Sequence, residues 1–170
     1  MRKLVMSSLA VGAALTFGTA AWAQQPAPPA PPGPPPAQYG SPGVTLEQAK
    51  KAVEAAEAEA KKNGWFMAIA VTTNGGYLVH FSRMDQTQLA SIQIAQHKAK
   101  AAATFRRPTK VFQDGLAAGN TFLLTLDGVI ASEGGIPLMR DGKIIGAIGC
   151  SGGTGAQDGQ ACKAGADTIK

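Results

Sequence analysis

Two histidines and a glycine-rich loop are the parts of this sequence whose residue types could do chemistry. The chain has two imidazoles, His80 and His97, and an imidazole can bind a metal or exchange a proton near neutral pH. The loop "SGGTG", residues 151–155, lies between a predicted strand and a predicted helix. Free backbone N–H groups and the helix dipole at such a junction favour an anion. The loop could therefore hold a ligand or only turn the chain.

The glycine-rich loop does not match the motifs that bind nucleotides. A phosphate-binding P-loop ends in Gly-Lys-Ser/Thr, but no lysine occurs between Lys143 and Lys163. A dinucleotide fingerprint has the form Gly-x-Gly-x-x-Gly, whereas Gly153-x-Gly155 is followed at the third position by Asp158. The sequence therefore predicts no nucleotide site in this loop.

A serine nucleophile is the second chemical possibility. Residues 149–153, "GCSGG", fit the Gly-x-Ser-x-Gly nucleophile elbow with Ser151 at its centre. The α/β-hydrolase order needs a histidine after the serine, but His80 and His97 both precede it. Since neither a nucleophile–base pair nor a dedicated cofactor motif is found, the sequence favours a binding module over an independent enzyme.

His97 falls on a predicted helix, residues 88–105, that must end before Pro108. At 100° per residue, His97 points away from the core, and Ile94 and Ala101 lie within about 60° of it. This second apolar strip fits a ligand or a subunit contact, and both interpretations stay open. The core face of the helix is predicted to consist of alanines: Ala95, Ala99, Ala102 and Ala103.

Turn residues divide the rest of the chain into helices and hairpins. Thr45 and Gln48 have capping-box spacing before an apolar repeat that stops at Asn63-Gly64, which predicts a first helix. Two hairpins are predicted where Asn or Asp stands beside Gly, because both residue types tolerate left-handed backbone angles. These hairpins join residues 65–73 to 77–83 and residues 135–140 to 143–151. Two further helices are predicted, one at residues 110–118 and one beginning near Ala156.

The amino-terminal residues have the three parts of a secretory signal peptide. Arg2 and Lys3 precede the apolar run 4–18, and Ala21-Trp22-Ala23 has the small-x-small form of a cleavage site. The run is shorter than the ~20 apolar residues that span a bilayer. We therefore expect a signal peptide at residues 1–23, cleaved after Ala23, and a periplasmic or secreted protein.

Residues 24–43 are rich in proline and are predicted to form an extended linker. The folded domain is then residues 44–170, a length typical of one domain. Without Arg2 and Lys3 the formal net charge falls from +5 to +3. This charge is too low to indicate nucleic acid as a partner, and no further apolar run predicts a membrane span in the mature chain.

Two long segments carry a resemblance to a known family. Residues 80–109, "HFSRMDQTQLASIQIAQHKAKAAATFRRPT", and residues 127–158, "DGVIASEGGIPLMRDGKIIGAIGCSGGTGAQD", resemble the GlcG/HbpS family of heme-binding proteins, which is related to the carboxy-terminal domain of PduO. The resemblance covers nearly all of Val44 to Ile169. It implies a profilin-like α/β fold, with three α/β/α layers around a five-stranded antiparallel sheet. It also implies a homo-oligomer and a heme or corrinoid bound near the surface.

The resemblance makes several residues candidates for a tetrapyrrole site. His97 is the first candidate for a metal ligand. His80 alternates with Leu78 and Ser82 along a strand, where a hydrogen-bonded, partly buried histidine is the alternative interpretation. The backbone near Ser151 and Thr154 is a candidate for binding a heme propionate. Two further candidates, Arg83 and Met84, belong to the family's "RMD" motif.

Met84 could act as an axial thioether and Arg83 could pair with a propionate, but simple packing and a surface salt bridge are the alternatives. The chain has no Cys-x-x-Cys-His, so any heme is expected to bind non-covalently. Whether Cys150 and Cys162 form a disulfide stays open.

The sequence thus predicts a secreted tetrapyrrole-binding module, with heme favoured and a corrinoid possible, that acts as a carrier, scavenger or sensor component. The alternatives are an accessory subunit or enzyme in the oxidation of small hydroxy acids or alcohols, with a protein partner, and a structural oligomer without a ligand.

The first testable prediction concerns processing. We expect the mature protein to begin at Gln24, because cleavage follows the small-x-small sequence at Ala23. Mass spectrometry of the exported protein measures the mass of its amino-terminal peptide. An exported protein that keeps Met1 or begins at another residue would contradict the prediction.

Overall fold

The computed structural model describes residues 37–169, so the predicted signal peptide lies outside the described residues. These residues form four α-helices, a short 3₁₀ helix at Thr121–Thr125 and one sheet. The α-helices are α1 (Leu46–Lys62), α2 (Ala90–Thr104), α3 (Lys110–Ala117) and α4 (Gly155–Ala166). The strands are β1 (Ala68–Thr73), β2 (Leu78–Arg83), β3 (Gly135–Arg140) and β4 (Lys143–Ser151). Within this part of the chain, no helix has the length and apolarity needed to cross a membrane.

The sheet is antiparallel throughout, with the strand order β2-β1-β4-β3. Both predicted hairpins are confirmed, as β1–β2 and β3–β4. The five-stranded sheet expected from the resemblance is not found, because residues 37–169 form four strands. An isolated parallel bridge joins Tyr39 to Ile144 of β4, and the Gly40 N–H donates a hydrogen bond to the Ile144 carbonyl at 2.7 Å.

The helices cover both faces of the sheet. Alternate residues of a strand point to opposite faces, and in β1 Ala68 and Ala70 pack against α2. Ile69 and Val71 belong to the larger core that α1 and α4 form on the other face. The three layers are therefore α2, the sheet, and the α1–α4 pair.

Two glycines let α2 lie directly on the sheet. Gly135 and Gly149 are paired in register on neighbouring strands. A Cβ atom on Gly135 would collide with the Lys98 carbonyl, and one on Gly149 would collide with the backbone of Ala95 and Ala99. The backbone of α2 thus occupies the space that two side chains would fill.

Capping boxes mark the starts of α1 and α4, whereas α2 and α3 begin without a side-chain cap. The capping box of Thr45 and Gln48 is present at α1, and Asn63 ends that helix. The second helix begins at Ala90 rather than at residue 88, and no side chain caps it. The start of α2 is thus fixed by its packing on the sheet, since the sequence supplies no cap.

The close contact between α2 and the sheet generates the second prediction. Gly149→Ala should lower the free energy of unfolding by about 1–3 kcal/mol, because the new methyl group would overpack α2 against β4. Urea denaturation measures the loss. Gly75→Ala in the β1–β2 turn is the control, since its Cβ would meet mainly the movable Tyr77 ring. Equal stability of the Gly149 variant and the wild type would show that α2 does not need this glycine.

Candidate functional site

The His97 side chain lies exposed on the outer face of α2. Its Nε2 atom is 3.2 Å from the Gly128 carbonyl oxygen. A carbonyl oxygen only accepts hydrogen bonds, so Nε2 is the protonated nitrogen and donates to it. In the neutral imidazole, the Nδ1 atom then keeps its lone pair. Histidines that bind metals commonly hold their other ring nitrogen in this way.

Two open clefts meet at His97. The hairpin cleft, of about 410 Å³, lies between α2 and the β1–β2 hairpin, with Leu78 and Ile94 among its lining residues. The loop cleft, of about 450 Å³, lies between α2 and residues 127–128, with Phe105 in its wall. His97 and Lys100 line both clefts. This imidazole thus stands between two concave surfaces that each contain an apolar side chain.

The apolar strip around His97 is shorter than the sequence predicts. Ile94 is half-buried, but Ala101 is completely buried, so the expectation that Ala101 belongs to an exposed strip is wrong. Gly128 contacts His97, and a Cβ atom added to Gly128 would lie 3.9 Å from the Phe105 ring. Since Ala101 lies between His97 and Phe105 on one helix face, the Gly128 loop covers it.

His80 and His97 lie on opposite faces of the sheet. His80 pairs with Val71, whose side chain belongs to the core beneath α1, and the neighbouring Ser82 donates to Glu57 of α1. The register shifts beside His80, which places Leu78 opposite Thr72 and in the hairpin cleft. The expected alternation of His80 with Leu78 is therefore wrong, and the two histidines cannot bind one metal within this chain.

Arg83 and Met84 occupy a third place, a depression that Glu57 and Phe66 also line. The Met84 sulfur accepts a hydrogen bond from the Met67 N–H at 3.4 Å, and its side chain packs against the main core. Arg83 is exposed. This arrangement is typical of a packing methionine beside a surface arginine, and neither residue reaches the clefts at His97.

Three N–H groups of the "SGGTG" loop, those of Gly152, Gly153 and Thr154, already have acceptors inside the chain. Gly153 N–H donates to the Asp158 carboxylate at 2.9 Å, and Thr154 N–H donates to the Gln157 side chain at 2.9 Å. Thr154 also caps α4, while the buried Ser151 hydroxyl donates to Ser91 at 3.1 Å. The anion that sequence reasoning expects at this helix start is thus supplied by Asp158, and a propionate would have to displace it.

A buried ion pair joins this loop to α2, and sequence reasoning missed it. Lys98 Nζ donates to Asp158 Oδ2 and to the Glu133 carbonyl, both at 2.6 Å. Burial raises the pKa of Asp158, against the opposing effects of Lys98 and of two backbone N–H groups. Helical periodicity could have indicated that Lys98 is buried, because Lys98 is three and four residues from the core alanines Ala95 and Ala102.

The two cysteines form a disulfide, which the sequence left open. Cys150 at the end of β4 is bonded to Cys162 of α4. Both residues are completely buried, so the bond fixes α4 against the sheet.

A further cleft, of about 490 Å³, runs beside β3 and is more apolar than the others. We call it the β3 cleft; Ile136, Met139 and Ile169 line it, with Lys110 and Lys163 at its edge. In residues 37–169, no group of three or more His, Cys, Asp or Glu residues could hold a metal ion. Of the sequence candidates, His97 alone combines a free ligand atom with a cleft.

The fold and this site can be compared with known proteins. Residues 44–167 match the family model described as haem-degrading protein, HbpS-like. The chain belongs to this HbpS-like family. Protein GlcG of Escherichia coli K12 is 43% identical to it over 108 residues, which is 64% of this chain and 81% of GlcG.

Solved structures of the family have the same fold. The crystal structure of HbpS aligns with a TM-score of 0.70 and 31% identity, and covers 77% of this chain and 93% of HbpS. The crystal structure of the PduOC–heme complex aligns with a TM-score of 0.69 and 25% identity, and covers 75% of this chain and 96% of PduOC. The mixed α/β architecture of this HbpS-like chain is therefore shared along almost the whole length of both proteins.

The buried pair generates the third prediction. Lys98→Met should cost about 3–5 kcal/mol of unfolding free energy, because it leaves the Asp158 carboxylate buried without its cation. The double variant Lys98→Met, Asp158→Leu should recover part of this loss in urea denaturation. Lys163→Met, in an exposed pair with Asp167, should cost less than about 1 kcal/mol. If Lys98→Met lost no more unfolding free energy than Lys163→Met, the structural role of the buried pair would be contradicted.

Proposed function

We propose that this HbpS-like protein binds heme non-covalently, with His97 as an iron ligand, and acts after export as a carrier, scavenger or sensor component. The observation that carries the proposal is the tautomer of His97. Its Nε2 proton is held by the Gly128 carbonyl, and its Nδ1 lone pair is left for a metal. Imidazole is a common axial ligand of heme iron.

The surroundings of His97 fit a porphyrin in two ways. Leu78 and Ile94 in the hairpin cleft and Phe105 in the loop cleft offer apolar contacts to a ring. The two clefts are also open to solvent on either side of the imidazole, so a planar ligand can enter without unfolding the domain. A bound heme would supply a redox-active iron, and the chain's own residues would hold and orient it.

The state of the cysteines supports non-covalent binding. Covalent attachment of heme uses free thiols, and both cysteines of the chain are joined in the buried disulfide. Affinity would then depend on the iron ligand and on contacts to the ring.

The disulfide also supports export. Structural disulfides persist in the periplasm and outside the cell and are rare in the cytosol. A disulfide between Cys150 and Cys162 agrees with the signal peptide that the sequence predicts. A heme bound near the surface of an exported protein can be exchanged with a partner, as a carrier, scavenger or sensor component requires.

Self-association is part of the proposal. Phe122 and Leu124 of the 3₁₀ segment are more than half exposed, and exposed apolar side chains of this kind commonly mark contacts between proteins. This segment precedes the Gly128 loop at His97, so a second copy could cover the bound heme.

Hemin titration gives the fourth prediction. The wild-type apo-protein should develop a Soret band on addition of hemin, and His97→Ala should shift that band and weaken affinity by at least about tenfold, because the iron loses its protein ligand. Absorbance spectroscopy measures both changes.

His80→Ala is the matched control, since His80 lies on the other face of the sheet. This variant should mainly affect folding and should keep the wild-type Soret band. If both histidine variants keep the wild-type spectrum and affinity, ligation by histidine is wrong, and the iron ligand is Met84, which would have to leave its packed position, or a residue outside the sequence candidates.

A further inference from the structure

We propose that Lys100 makes the His97 site selective for tetrapyrroles with ionised carboxylate side chains. The inference rests on the proposed heme binding at His97. It predicts that the site accepts heme, which carries two propionates, and discriminates against corrinoids, whose peripheral side chains are mainly neutral amides.

The position of Lys100 is the first observation. Lys100 follows His97 by three residues on α2, so both side chains leave the helix on the same side. Both residues line the hairpin cleft and the loop cleft. A ring whose iron is bound by His97 would therefore have its edge within the region that the Lys100 side chain can reach.

The side chain of Lys100 is held by the β1–β2 hairpin. A Cβ atom added to Gly76 would lie 2.8 Å from Lys100 Cγ and 3.6 Å from Lys100 Cβ. The aliphatic stem of the lysine thus packs directly on a glycine with a φ of +82°. Packing of the stem reduces the conformational freedom that the ammonium group must lose when it binds an anion.

The charge of Lys100 is not neutralised within the described residues. Four lysines on the other helices have carboxylate partners, namely Lys61, Lys62, Lys110 and Lys163, whereas Lys50 and Lys51 of α1 form no ion pair within the described residues and line neither cleft at His97. The α2 neighbour Lys98 is paired with Asp158. Within residues 37–169, Lys100 forms no ion pair, although Asp127 lines the same loop cleft.

This free cation distinguishes the two ligand classes. A lysine ammonium and a propionate carry opposite charges, so their hydrogen bond is also an ion pair, and hydrogen bonds to charged groups contribute more than those to neutral groups. An amide oxygen accepts a hydrogen bond from the same ammonium but carries no opposite charge. An imidazole at His97 could bind the iron of a heme or the cobalt of a corrinoid, so Lys100 would supply the discrimination.

The test compares hemin, hemin dimethyl ester and diaquocobinamide, a corrinoid with exchangeable axial waters, as ligands of the full exported chain. The wild type should bind hemin about tenfold more tightly than the ester, in which both propionates are neutral, and more tightly than diaquocobinamide. Lys100→Gln should lose about tenfold in affinity for hemin and keep its affinity for the ester. Lys100→Arg should restore most of the hemin affinity, since it restores the cation.

Lys50→Gln on α1 is the control, because Lys50 is exposed and lies on the other side of the sheet. It should leave all three affinities unchanged. Thermal unfolding of each variant confirms that the fold is retained. Equal binding of hemin and its ester by the wild type, or an unchanged hemin affinity in Lys100→Gln, would overturn the role of Lys100 and leave heme binding intact. A wild type that binds neither hemin nor the ester would overturn both proposals.

Discussion

The direct contact of α2 with the glycine pair of β3 and β4 determines how the rest of this protein is arranged. Since Gly135 and Gly149 have no side chains, the backbone of α2 rests on the sheet itself. Such a contact permits little rotation of the helix about its axis. The orientation that results turns Lys98 inward to Asp158 and turns His97 and Lys100 outward to the clefts. One packing constraint thus fixes both the buried charge and the exposed candidate ligand.

The two charged lysines of this helix have separate tasks. Lys98 and Asp158 form an ion pair inside the protein, and Asp158 also accepts a hydrogen bond from the Gly153 N–H just before α4. The glycine-rich loop is therefore organised around an internal carboxylate. Lys100, two residues further along, keeps its charge at the surface beside His97. The loop thus stabilises the fold, and under the proposed function the outer face of α2 binds the ligand.

Local patterns in the sequence predicted much of this structure. The capping box of α1, both hairpins and the inward alanines of α2 depend on neighbouring residues, and all were found. Contacts between distant segments could not be read in the same way. Ala101 is covered by a loop from another part of the chain, which periodicity along one helix cannot reveal.

The same limit applies to the register shift in β2, which moved Leu78 away from the face of His80. A bulge depends on how two strands pair, and alternation within one strand carries no sign of it. Helical periodicity places Lys98 on the core face of α2, but a lysine is normally assigned to the surface. Its burial depends on the ion pair with Asp158, which is 60 residues away in the sequence.

The central claim is that the outer face of α2 holds the iron through His97. A crystal structure of the protein with hemin tests it most directly. The account predicts an iron–Nδ1 bond at His97, with the Nε2 hydrogen bond to the Gly128 carbonyl retained. Heme bound in the β3 cleft, with the His97 imidazole away from the iron, would contradict it.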